Sequence, residues 1–141
     1  MTSVRLATFD DIADVARLLG QLGYPDDDAT FAARWPAWQA EGNRALVALD
    51  ADGRIIGLLT THVMTVLHRP APVGRISAMV VQEGLRGSGV GRALVRAAEA
   101  LLHDAGCGLV EVTSNLRRTD AHAFYERIGY ERTSYRFMRP L

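Results

Sequence analysis

The sequence predicts an α/β domain: a mixed, mostly antiparallel sheet with one parallel strand pair and helices on both faces. Three observations carry this. Two apolar, β-rich runs, Arg44–Leu49 and Ile55–Met64, flank Asp50-Ala51-Asp52-Gly53, a turn sequence that joins antiparallel neighbours. Val73–Val81, a helical repeat from Val90 and a further apolar run over residues 109–113 form a strand–helix–strand crossover, so those two strands should be parallel and adjacent. Apolar residues also recur at helical spacing near both ends of the chain.

In chain order, residues 3–7 alternate around Val4 and Leu6 and read as a short first strand. Thr8, with Asp11 three residues on, is a capping-box signal, and Ile12, Val15, Ala16, Leu19 and Leu22 then mark a helix that stops at Gly23. Asp26, Asp27 and Asp28 are placed to cap a second helix through Phe31 and Trp35, which Pro36 is expected to break or kink. Three adjacent carboxylates suit a solvated helix start better than a metal site, because neighbouring side chains diverge. Beyond the hairpin, His68-Arg69-Pro70-Ala71-Pro72 is a rigid loop. Val90, Leu94, Ala97, Ala98, Leu101 and Ala105 share one face of the crossover helix, which ends at Gly106. Asp120 is expected to cap a last helix through Phe124, Tyr125 and Ile128 to Gly129, and alternation over residues 130–138 predicts one or two closing strands. No linker or repeat interrupts the chain, so residues 1–141 read as one domain.

Composition narrows the function. At 141 residues and 48% hydrophobic content the chain can bury a core without staples. Its formal net charge of zero gives no general attraction to nucleic acid or an anionic membrane. A single cysteine, Cys107, excludes an internal disulfide, and between Gly106 and Gly108 it reads as a small residue before a strand. None of the histidines has metal-ligand spacing backed by a second cluster, so no metal is expected. There is no signal-like start and no stretch of membrane-spanning length, so a cytoplasmic protein is expected.

The chemistry concentrates between Val80 and Arg92, where an apolar strand enters a glycine-rich corner and the corner opens a long helix. Backbone N–H groups at a helix start lack partners within the helix and sit at the positive end of its dipole, so a corner without Cβ atoms admits a phosphate. Three readings compete. A P-loop needs lysine followed by serine or threonine, and Arg92-Ala93 stands there instead. A dinucleotide fingerprint needs a third glycine where Arg92 falls, and an antiparallel hairpin before the motif is the wrong topology for it. A bare glycine turn without a ligand stays open.

Arg86-Gly87-Ser88-Gly89-Val90-Gly91 resembles the acyl-CoA signature Gln/Arg-x-x-Gly-x-Gly/Ala of the GNAT superfamily of N-acetyltransferases. The later Ala121-His122-Ala123-Phe124-Tyr125-Glu126-Arg127-Ile128-Gly129-Tyr130 looks like that family's second signature, and the resemblance covers essentially the whole chain. It implies a GNAT-like fold and acetyl-CoA as cosubstrate, without a metal or covalent enzyme intermediate. Backbone groups of Arg86, Gly87, Ser88, Gly89, Val90, Gly91 and Arg92 would hold the pyrophosphate. The family's fourth strand bulges and splays, which would free Met79, Val80 and Val81 for pantetheine and put the Met79 N–H on the thioester carbonyl. Tyr125 would protonate the departing thiolate. Relatives often place a cofactor-binding asparagine where this chain has Arg118, which makes Asn115 the nearest substitute.

Many relatives take their general base from a fourth-strand glutamate, and Arg75 stands at that position here. Glu111 and His62 are the candidates instead, with His68 a third. The resemblance implies transfer to a primary amine of a small molecule or peptide, with Trp35, Trp38, Tyr24 and His68 near the acceptor. It leaves open a homodimer and a non-catalytic acyl-CoA-binding regulatory module.

Overall fold

The computed structural model describes residues 2–141. Strands β1 (Ser3–Leu6), β2 (Arg44–Leu49), β3 (Ile55–Met64), β4 (Val73–Val81) and β5 (Leu109–Val112) form one sheet in that order. Helices α1 (Ile12–Leu22) and α2 (Asp28–Ala40) follow β1, α3 (Val90–Asp104) joins β4 to β5, and α4 (Thr119–Arg127) follows β5. The first four strands are antiparallel in sequence, and β5 is parallel to β4. By its contacts the chain divides into two compact units, one reaching to Glu111 and the other Val112–Leu141.

The predicted hairpin forms because Asp50 closes its turn: Oδ1 accepts the N–H groups of Asp52 and Arg54 at 2.9 and 3.0 Å. Gly53 takes φ 80°, which a side chain would resist. Alternation along the strands then assigns the helices to opposite faces. A Cβ on Gly57 would lie 2.9 Å from Leu94 Cδ1, and one on Gly74 would lie 2.8 Å from Leu102 Cδ1, so α3 packs against the face these glycines leave bare. Leu58, one residue from Gly57, faces the other way, where Val47 and Val80 join Ile12, Val15 and Leu18 of α1 and Trp35 of α2. Fully burying a leucine such as Leu58 contributes roughly 1.5–3 kcal/mol.

Three expectations are corrected. Helix α2 runs through Pro36 to Ala40 instead of breaking there. Proline removes one backbone donor, while buried Trp35 and its tilted ring contact with Trp38, 5.2 Å between centroids, hold the turns on either side. Asp120 is not the cap of α4, because the helix begins at Thr119 with Arg118 as N-cap, and Asp120 adds its charge to the first turn instead. Residues 130–138 form no strand. Alternation permits an extended chain, but a strand exists only as half of a ladder, and Tyr135, Phe137 and Met138 are exposed.

The entry to α1 is fixed by one carboxylate. Asp11 accepts Arg5 Nη1 and Nη2 at 2.7 and 3.0 Å and the Thr8 N–H at 2.8 Å, tying β1 to the helix start. The Arg5 hydrogen bonds, with help from Thr8, hold the Asp11 carboxyl below its ordinary range. A depressed carboxylate stabilises the fold above its unfolded pKa, and that contribution is lost as pH falls through the folded value. Arg5 is 44% exposed, so screening limits the effect. Asp11→Asn should therefore cost about 1–2 kcal/mol at pH 7. In urea unfolding, the gap to wild type should close as pH drops below about 3.9.

Candidate active site

The chain leaves β4 at Val81 and turns through residues 82–89 into α3. Gly84, Gly87 and Gly89 hold φ at 83°, 81° and 88°, and a Cβ on any of them would meet nothing within 4 Å. The corner is therefore glycine for its backbone and open on its outside. Gly89 caps α3, and its carbonyl accepts the Ala93 N–H at 3.1 Å. The N–H groups of Val90, Gly91 and Arg92 are left without intrahelical acceptors at the positive end of a 15-residue helix. Gly91 is an ordinary helical residue, whereas Gly84 joins the glycines that shape the corner. Ser88 Oγ donates to the Leu85 carbonyl inside the turn. Helix α1 braces the corner from behind: Arg17 donates to Gln82 Oε1 at 2.9 Å, and Gln21 Oε1 accepts the Glu83 N–H at 3.1 Å.

Strand β4 brings a second set of free donors to the same place. Its register on β3 shifts between Thr60 and Thr61, leaving Ser77 as the bulged residue, whose Oγ meets Thr60 Oγ1 at 2.8 Å. On the other edge, the Gly108 N–H donates to the Pro72 carbonyl at 2.9 Å and Arg75 pairs with Glu111 at 2.7 Å. Both contacts offset β5 from β4 by 36 residues, so Val112, where β5 ends, comes abreast of Ile76. No strand accompanies residues 77–81 on that side among the described residues. The Gln82 N–H donates to the Ile56 carbonyl at 2.9 Å. Counting back in twos, Val80 and Ala78 also bond to β3, which turns the N–H and C=O of Val81 and Met79 to the unpaired edge.

The base candidates fall on the sheet face that carries α1 and α2. His62 lies opposite Arg75 on the β3–β4 ladder, and Arg75 directs Nε and Nη2 onto Glu111 Oε1 at 2.9 and 2.7 Å. Glu111 is thus committed to a guanidinium, with Oε1 accepting both hydrogen bonds. His62 is held differently. Buried Asn43 donates Nδ2 to the Trp38 carbonyl at 2.8 Å, so its Oδ1 faces the His62 Nδ1 at 2.7 Å and accepts. The proton of the neutral imidazole is then on Nδ1, leaving a lone pair on Nε2. His68 is exposed in its loop.

In the second unit, Tyr125 is buried within α4, edge-on to Phe124 at 5.3 Å and 5.8 Å from the Tyr130 ring. Burial raises the phenol above its ordinary pKa, opposed by the charge of Arg118. Asn115 shapes the turn before the helix: its Oδ1 accepts the Arg117 N–H at 2.9 Å, and its carbonyl accepts the Arg118 N–H and His122 Nε2, each at 2.9 Å. His122 therefore orients this turn.

Depressions open on the first unit, and two of them border the residues above. One, of about 210 Å³, lies between α1, α2 and the sheet and is walled by Ile12, Val15, Leu19, Phe31, Trp35 and Trp38. Arg34 stands at it, paired with Asp26 at 3.2 Å and lying over the Phe31 ring. Tyr24 and His68 do not line it. A larger polar one, of about 720 Å³, is bordered by Arg5, Asp14, Arg17 and Arg54. Two of its arginines are already paired, Arg5 with Asp11 and Arg17 with Asp14.

Residues 10–130 match the sequence profile of the Acetyltransferase (GNAT) family. The chain belongs to this family. It is 35% identical over 136 residues to an aminoglycoside N(6')-acetyltransferase type 1 of Stenotrophomonas maltophilia, spanning 93% of this chain and 87% of that protein. Against an aminoalkylphosphonate N-acetyltransferase of Salmonella typhimurium it is 36% identical over 90 residues, 64% of this chain and 58% of that protein. The fold superposes on an acetyltransferase of Trypanosoma brucei with a TM-score of 0.86, covering 100% of both chains at 24% identity.

Among GNAT chains the glycine corner is readable from sequence, but Asn43 and Phe31 are not. Asn43 stands 19 residues from the histidine it orients, and no local pattern links them. Phe31 is marked only by helical spacing. For the tyrosine, burial has a direct consequence: Tyr125 should ionise above the ordinary phenol range. A spectrophotometric alkaline titration should show a step above that range which Tyr125→Phe removes.

Proposed function

We propose that this GNAT protein transfers the acetyl group of acetyl-CoA to a primary amine by direct attack. The observation that carries the reading is the convergence of unpaired backbone donors at one corner: the outward Met79 and Val81 groups lead straight into the open N-terminus of α3. Acetyl-CoA supplies an acetyl thioester and a pyrophosphate. The N–H groups from Gly87 to Arg92 suit that pyrophosphate, since Gly87 and Gly89 carry no Cβ and face open space, and Arg86 and Arg92 add charge.

His62 Nε2 takes the proton from the substrate ammonium, with Asn43 holding the ring in the required tautomer. The freed amine attacks the carbonyl carbon, and the Met79 N–H receives the charge that develops on its oxygen. Tyr125, kept protonated by burial, gives its proton to sulfur as the carbon–sulfur bond breaks. The bonded nitrogen loses its second surplus proton, which restores the phenol, and His62 returns its own to solvent, so one proton is released for each ammonium acetylated. Glu111, tied to Arg75, holds charge balance on the same face.

Acetyl-CoA at a hundred times its dissociation constant should stabilise the protein by about 2.7 kcal/mol. Gly89→Ala, at φ 88°, should lose stability by about 1–2 kcal/mol and bind the cofactor more weakly. No thermal shift with acetyl-CoA would sink the reading at its first step. Tyr125→Phe should keep the shift while free-thiol release slows by roughly 100-fold. His62→Gln should slow an alkylammonium substrate by a similar factor, yet barely affect an amine that is already neutral at the assay pH. Equal losses for both amines would remove His62 as the base.

A further inference from the structure

The cavity between α1 and α2 has a chemistry of its own. Its wall is mainly aromatic and aliphatic; among the described residues it contains no carboxylate, and its one cation, Arg34, is already matched by Asp26 and by the Phe31 ring. A cavity of 150 Å³ with an apolar lining takes up benzene, so about 210 Å³ accommodates one ring with a short aliphatic arm. A polycation entering here would meet no counter-charge, and a phosphonate would have to compete with Asp26 for Arg34.

The cavity is also joined to the candidate base. Thr60 forms part of it, and His62 is the next β3 residue on the same face, about 7 Å further along the strand. Trp38 contributes its ring to the cavity wall and its carbonyl to Asn43, which fixes His62. A ring seated against Trp35 and Trp38 can therefore direct its amine arm along β3 towards the imidazole.

We propose that this cavity holds the body of the acceptor, and that the acceptor is a primary amine on an uncharged apolar or aromatic frame rather than a polycationic or phosphonate-bearing amine. The inference rests on the acetyl-transfer reading for the reaction, but its binding half does not. Trp35 and Trp38 are the protein's two tryptophans, so intrinsic fluorescence reports on this cavity.

The test is a fluorescence titration without cofactor, using phenethylamine, hexylamine, spermidine, kanamycin and 2-aminoethylphosphonate, followed by acetylation of the same panel read by free thiol. Saturable emission changes are expected with the first two amines alone, and the same two should be acetylated with the highest kcat/KM. Phe31→Ser should raise KM for phenethylamine at least 10-fold with little change in kcat or in the acetyl-CoA thermal shift. Circular dichroism verifies that the variant is folded, and Leu19→Gln offers a second route if it is not. Preference for any of the three polar amines overturns the proposal, as does saturable binding of phenethylamine without its acetylation. An absent acetyl-CoA thermal shift would instead count against the transferase reading, and fluorescence would still decide whether the cavity takes apolar amines.

Discussion

Unpaired backbone is the constraint on which this structure turns. A buried N–H or C=O without a partner costs on the order of 1–3 kcal/mol, so folds pair each one or leave it open to solvent or a ligand. Here β4 is nine residues long and its parallel neighbour four, which leaves the outer edge of its second half without a strand. The glycine corner then delivers further N–H groups at the start of α3. The corner joins a sheet edge to a helix terminus, and a ligand with a phosphate and an amide-bearing arm would satisfy both.

The rest of the first unit keeps that corner rigid. Gly57 and Gly74 let α3 settle against the sheet, which fixes where its N-terminus points. Arg17 and Gln21 tie α1 to Gln82 and Glu83 as the chain leaves β4. The Arg5–Asp11 pair sets the start of α1, so an interaction remote from the corner still bears on its position. On the opposite face, one polar chain from Trp38 through Asn43 to His62 crosses from helix to sheet. It gives the imidazole one tautomer, while Arg75 occupies Glu111. Two residues that look equivalent in sequence thus acquire different chemistry from their partners.

The amino-acid sequence by itself determined the bounds of β2, β3 and β4 and the turn at Asp50, because hairpin chemistry and alternation are local. It also determined the glycine corner, since only glycine tolerates the left-handed backbone at Gly87 and Gly89. The tertiary structure decided the rest. It carried α2 through Pro36 by tryptophan packing, and it left residues 130–138 without a ladder despite their alternation. It gave His62 and Glu111 different partners, and it gathered Phe31, Trp35 and Trp38 around a cavity. The division has a physical cause. Backbone conformation is set by neighbours along the chain, whereas a strand partner, a proton's position and an empty volume are each properties of groups that only folding brings together.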